Sequence, residues 1–161
     1  MSWDPKARKC VTTAIVNKVP GVKKKIGGAS TLSVFPPNQC GRAIGINPKN
    51  GQIAVGVNNG EVHIHSDAKT LELIKSFKHA KEWIEVCQYS PDGSKLAVGS
   101  HDNNIYIYET DNYGLIATCK AHRSFITALD WSTDSNHIQS NCGAYELLFF
   151  TAEGNQLAGK R

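Results

Sequence analysis

With 161 residues, 40% hydrophobic and 20% charged, the chain has ordinary globular composition and enough apolar side chains for one core. No apolar run approaches the roughly eighteen residues of a membrane helix, and the lysine-rich N-terminus lacks the apolar centre of a secretory signal, so a soluble intracellular protein is expected. The net charge of +4 is uneven: over residues 1–25, Lys6, Arg8, Lys9, Lys18, Lys23, Lys24 and Lys25 face Asp4 alone, which is +6 and leaves −2 for the remainder. That basic stretch has no interleaved aromatics, so nucleic acid is not the expected partner.

Residues 17–40 hold Pro20, Pro36, Pro37 and several glycines, and read as an inserted basic loop. Beyond it the chain repeats. Ile53-Ala54-Val55-Gly56-Val57, Val62-His63-Ile64-His65 and His79 return 43 residues later as Leu96-Ala97-Val98-Gly99-Ser100, Ile105-Tyr106-Ile107-Tyr108 and His122, with Pro48 returning as Pro91. A third unit follows at a spacing of 42, where Trp131-Ser132 replaces Tyr89-Ser90, Ile138 replaces Leu96, and Leu147-Leu148-Phe149-Phe150 replaces Ile105 to Tyr108.

The middle unit contains four predicted strands, over 83–89, 95–99, 105–108 and 115–119. Ser90-Pro91-Asp92-Gly93, His101-Asp102-Asn103-Asn104 and Asp111-Asn112-Tyr113-Gly114 supply the turns between them. No stretch is long enough for a crossover helix, so the sheet is antiparallel. Four short strands per period of 40 to 45 residues predict an all-β chain of β-propeller blades, and helical repeats of that length would instead place apolar residues at i, i+3 and i+4. The expected blades are residues 41–80, 81–123 and 124–161, with the completeness of the last left open.

Trp3-Asp4 resembles the dipeptide that ends the third strand of a WD-repeat blade, and Lys9 to Ala14 resembles the fourth strand, so residues 1–16 are read as the end of a preceding blade. The WD-repeat resemblance implies a buried hydrogen-bonded set of a histidine, a Ser or Thr, an Asp and a Trp in each blade. His79 and Asp102 match that pattern, Val98 and Tyr108 stand where the Ser/Thr and Trp would be, and His122 opens the next unit. His79, Asp102, Tyr108 and His122 are therefore the expected structural set.

At finer grain, Tyr89 to Asn103, His122 to Ser132 and Gln139-Ser140-Asn141 resemble the echinoderm microtubule-associated protein-like family, over roughly residues 41–150. That resemblance implies tandem propellers and a non-catalytic scaffold whose partners are tubulin or microtubule-associated proteins. The implied location is cytoplasm and cytoskeleton, with the ciliary axoneme as one place within it. No heptad pattern appears, so the N-terminal coiled coil of many such proteins is not seen here. The alternative reading is a WD-repeat adaptor in an unrelated multiprotein complex.

No catalytic, cofactor-binding or metal-binding residue is assigned, because nothing pairs a nucleophile with a base or gathers carboxylates in a motif. Cys10, Cys40, Cys87, Cys119 and Cys142 lie far apart with no CxxC, and read as reduced thiols. His63 and His65, which a strand would place on one face, lack acidic or thiol partners at ligand-like spacing and read as ordinary strand residues. Candidate partner contacts are Lys23, Lys24 and Lys25, on a loop able to touch an acidic polymer surface, and the rim turns 58–60, 80–82 and 102–104. A propeller closes with about four to eight blades. The remaining ones are therefore expected from sequence beyond this chain, from another chain, or from an unusual closure between Cys10–Val16 and Gln156-Leu157.

Overall fold

A computed structural model describes residues 2–4, 9–12 and 39–158. Every regular element in them is a β-strand. A two-stranded hairpin pairs β1 (Ser2–Asp4) with β2 (Lys9–Thr12). The first full sheet runs β3 (Gly41–Ile46), β4 (Ile53–Val57), β5 (Glu61–His65), β6 (Leu73–Lys78). The second runs β7 (Ile84–Tyr89), β8 (Lys95–Ser100), β9 (Ile105–Glu109), β10 (Leu115–Cys119). The third has three strands, β11 (Ile126–Trp131), β12 (His137–Cys142) and β13 (Leu147–Thr151). All neighbours are antiparallel and consecutive, the up-and-down order of propeller blades.

The sheets pack face to face, β7 lying against both β3 and β11. Alternation along each strand then feeds opposite cores. Leu96, Val98, Tyr106 and Tyr108 enter the core shared with the first sheet, which holds Ala54, Val62 and Ile64. Ala97, Ile105 and Ile107 enter the core shared with the third, beside Ile126, Ile138 and Phe150. The middle sheet is thus buried on both faces, and that is why β8 and β9 are nearly continuous apolar runs. In β12, by contrast, Ile138, Ser140 and Cys142 are buried while His137, Gln139 and Asn141 face outward, the alternation of a sheet covered on one side. Each fully buried Ile or Leu contributes about 1.5–3 kcal/mol, so the two shared cores tie the sheets together more strongly than any polar link.

Polar links do connect the turns between first and second strands. Asn47 Nδ2 donates to the Gly93 carbonyl at 3.0 Å, and the Asp92 amide donates to Ser135 Oγ at 3.1 Å. Gly93 takes φ +71° with Asn47 Oδ1 only 2.4 Å from where a Cβ would sit, so the close approach and the positive φ both require glycine. Among the described residues, nothing covers Ile44 and Ile46 on β3 or Leu147 and Phe149 on β13, which are exposed. Beyond β13, Gln156 forms an isolated bridge to Phe150 and the Leu157 amide donates to the Phe149 carbonyl at 2.8 Å, the first rung of a fourth strand. Among the described residues, no helix is long and apolar enough to cross a membrane.

Candidate functional site

The site grows from a register irregularity that the repeat copies. In β3–β4 the pairing shifts between Gly41 and Ala43, in β7–β8 between Ile84 and Val86, and in β11–β12 between Ile126 and Ala128. These are equivalent positions, and each leaves one residue, Arg42, Glu85 or Thr127, as the extra residue of a bulge. A bulge re-aims its side chain. Arg42 Nη2 consequently reaches Glu85 Oε2 at 2.9 Å, bridging the first two sheets, and His101 Nε2 meets the same oxygen at 3.1 Å.

Aromatic rings continue that contact across the third sheet. The Arg42 guanidinium lies 4.5 Å from the Trp83 ring centre, Trp83 lies 5.2 Å from His101, and His101 stacks on Phe125 at 4.6 Å. Trp83 and Phe125 nevertheless keep 43% and 39% of their surface in solvent. Tyr145, at the tip of the β12–β13 turn, is 99% exposed and held at φ +60°. Gly143 in that turn approaches the Phe125 ring so closely that a Cβ would lie 2.7 Å from Cε1.

The three rim turns expected as contacts abut one another. Gly60, at φ +87°, sits where a Cβ would lie 2.4 Å from the Ala80 carbonyl oxygen, and the Lys81 amide donates to Asp102 Oδ2 at 2.8 Å. The His101 amide also donates to the Trp83 carbonyl at 2.8 Å, which fixes the base of the aromatic ladder. Turns 58–60, 80–82 and 102–104 thus share one rim with Trp83 and His101. Lys23, Lys24 and Lys25 lie outside the described residues, as do 5–8 and 13–38.

The expected histidine set falls into three groups. Tyr108 Oη meets His79 Nδ1 at 3.2 Å, its ring packing 4.6 Å from Phe77. Asp102 instead accepts from Tyr106 Oη at 2.8 Å and from the Asn104 and Lys81 amides. His122 belongs to the third sheet, with Nε2 2.7 Å from Ser140 Oγ. Val98 has no hydroxyl to bridge histidine and aromatic, so the middle set cannot close. Ser140 occupies the position equivalent to Val98 at the 42-residue spacing, a signal the sequence held. The same spacing relates Trp83 to Phe125, and would have found the ladder.

His63 and His65 are buried on β5, their rings 6.5 Å apart. His63 Nε2 meets Glu61 Oε2 at 3.1 Å, while His65 Nδ1 meets the Leu71 carbonyl oxygen at 3.1 Å. Cys40, Cys87, Cys119 and Cys142 are free. Burial pushes the Cys87 thiol up to about 12 and the Cys119 thiol to about 11, which makes both inert as nucleophiles. Among the described residues, the group placed to hold a metal ion is His122, Cys142 and Glu146.

Comparison with known proteins meets this geometry at the level of the whole chain. The family described as echinoderm microtubule-associated protein second beta-propeller matches residues 2–160. The ciliary WD repeat-containing protein ctxp80 of Euplotoides octocarinatus is 51% identical over 154 residues, covering 94% of this chain and 21% of that protein. The 77 kDa echinoderm microtubule-associated protein of Strongylocentrotus purpuratus is 42% identical over 115 residues, 69% of this chain and 17% of its own. Human echinoderm microtubule-associated protein-like 3 is 41% identical over 120 residues, 72% of this chain and 13% of its own. The chain therefore spans about a fifth or less of these relatives. A chain in the crystal structure of the mitotic checkpoint complex superposes with TM-score 0.63 at 20% identity, over 70% of this chain and 37% of that one, and shares the fold alone.

Proposed function

We propose that this chain, which belongs to the echinoderm microtubule-associated protein second β-propeller family, serves as a non-catalytic scaffold that associates with microtubules or the axoneme through tubulin or tubulin-bound proteins. The observation that carries the reading is the 51% identity to a ciliary WD-repeat protein across nearly the whole chain, within a family whose named members are microtubule-associated. The rim of Arg42, Trp83, His101 and Phe125 supplies the rigid contact surface, since propeller loops held by sheets are where partners dock. Lys23, Lys24 and Lys25 add attraction to an acidic polymer surface, and this part weakens with salt. The cytoskeleton, and the cilium within it, is the corresponding location.

Cosedimentation of the protein with polymerised tubulin across a salt series tests this. The pelleted fraction is expected to be highest at low salt and to fall as salt rises. An absence of pelleting at low salt, with the protein folded by circular dichroism, overturns the reading.

A further inference from the structure

His122 lies on the connection between β10 and β11, Cys142 ends β12, and Glu146 sits on the turn into β13, 24 residues from the histidine in sequence but adjacent in space. We propose that these three side chains bind a divalent cation of the zinc type, through His122 Nδ1, Cys142 Sγ and a Glu146 carboxylate oxygen, with water as the fourth ligand. This goes beyond the scaffold reading and does not depend on it.

The His122 side chain is 1% exposed, and its Nδ1 makes no short hydrogen bond but faces the Glu146 carboxylate at 3.7 Å. His63 Nδ1 and His65 Nε2 are likewise without a hydrogen bond, but among the described residues only at His122 do a thiol and a carboxylate lie beside the ring nitrogen. Its other nitrogen, Nε2, is held 2.7 Å from Ser140 Oγ, the kind of outer partner that orients a metal-ligating histidine and leaves the opposite nitrogen free to coordinate. The donor spacing fits as well. Cys142 Sγ lies 3.5 Å and His122 Nδ1 3.7 Å from Glu146 Oε2, and all three ligand atoms fall within 4.8 Å of one another. A tetrahedral site with bonds of about 2.0–2.3 Å sets its ligands about 3.3–3.6 Å apart, so small side-chain movements complete it.

A set of one imidazole, one thiolate and one carboxylate suits zinc, whereas calcium and magnesium ask for oxygen alone. Glu146 is partly exposed and gives the ion a route from solvent. Its carboxylate is shared with Arg123, whose amide donates to Oε2 at 3.0 Å and whose Nε lies 3.4 Å from Oε1. The Arg123 side chain is 86% exposed and can swing away when the ion enters. Coordination releases the thiol proton, so binding weakens in acid. An ion here would pin the β10–β11 connection to the turn that carries Tyr145.

The test is titration of the reduced, metal-free protein with cobalt(II), followed by displacement with zinc. A near-ultraviolet thiolate-to-cobalt band with tetrahedral visible absorption is expected, bleached by zinc. Cys142→Ser removes the band, Cys40→Ser leaves it, and Glu146→Gln weakens binding by about tenfold or more. Arg123→Ala, which removes a competitor for the carboxylate at an exposed position, tightens it roughly twofold to fivefold. Absence of the band in the folded parent protein, or its persistence in Cys142→Ser, overturns the proposal. Should Cys142→Ser fail to fold, unchanged affinity in both Glu146→Gln and Arg123→Ala overturns it instead.

Discussion

Single side chains set the acid limit of this molecule. Burial lowers the pKa of His65 below 6.5, partly offset by the Leu71 carbonyl, and burial lowers that of His122, partly offset by the Glu146 carboxylate. A histidine with a depressed folded value binds its proton more readily when unfolded, so its contribution is complete above the unfolded pKa and is lost as pH falls through the folded one. Two carboxylates act lower on the scale. The Ser90 hydroxyl, with the Ser94 amide and hydroxyl, holds Asp92 well below the usual range, and the Ser132 hydroxyl with Asn136 holds Asp134 at about 2. Denaturant midpoints should therefore fall in two stages, first from about pH 6.5 downward and again below about pH 4. A midpoint that is flat between about pH 7.5 and pH 5 would exclude the histidine contribution. At this scale the sequence was only partly readable. The 42-residue offset points to Ser140 as partner of His122, but nothing local announces that Glu146 turns back toward the same ring.

At the scale of elements, the middle strands were readable because burial on two faces leaves an uninterrupted apolar run, and the turns because Ser-Pro-Asp-Gly and its equivalents specify their own geometry. The bulges were not. A one-residue slip alters pairing without altering composition, so Arg42 and Glu85 look like ordinary strand residues until their strands are paired. Close packing of sheet on sheet was equally hidden. A Cβ on Gly45 would lie 2.7 Å from the Cys87 carbonyl oxygen, a backbone atom that cannot rotate aside. Gly45→Ala is therefore expected to force β3 and β7 apart and to cost about 1–3 kcal/mol, read as a lowered urea midpoint. An unchanged midpoint would mean that the two sheets do not approach this closely. Trp83→Ala is the contrasting case: its ring is half in solvent, so stability should drop by only about 0.5–1 kcal/mol. If the rim is the contact surface, the same variant loses cosedimentation with microtubules while staying folded. Retention of full binding by Trp83→Ala and Phe125→Ala together would move the contact elsewhere.

Across the whole molecule, the two cores belong to pairs of sheets and not to any one of them. The repeat made this architecture legible, since a period near 43 with four strands leaves few alternatives. The proposed partner rests on resemblance alone, because a rim's side chains are not dictated by the fold that carries them.

The recurring bulge has a wider consequence. Because positions 42, 85 and 127 stand outside the pairing ladder, their side chains are exempt from the constraints that the repeat places on every flanking strand residue. The three positions already hold an arginine, a glutamate and a threonine on the same backbone. A substitution at any of the three leaves the pairing register of its strands untouched, so contacts such as the Arg42–Glu85 ion pair can be altered with no rebuilding of the blades themselves.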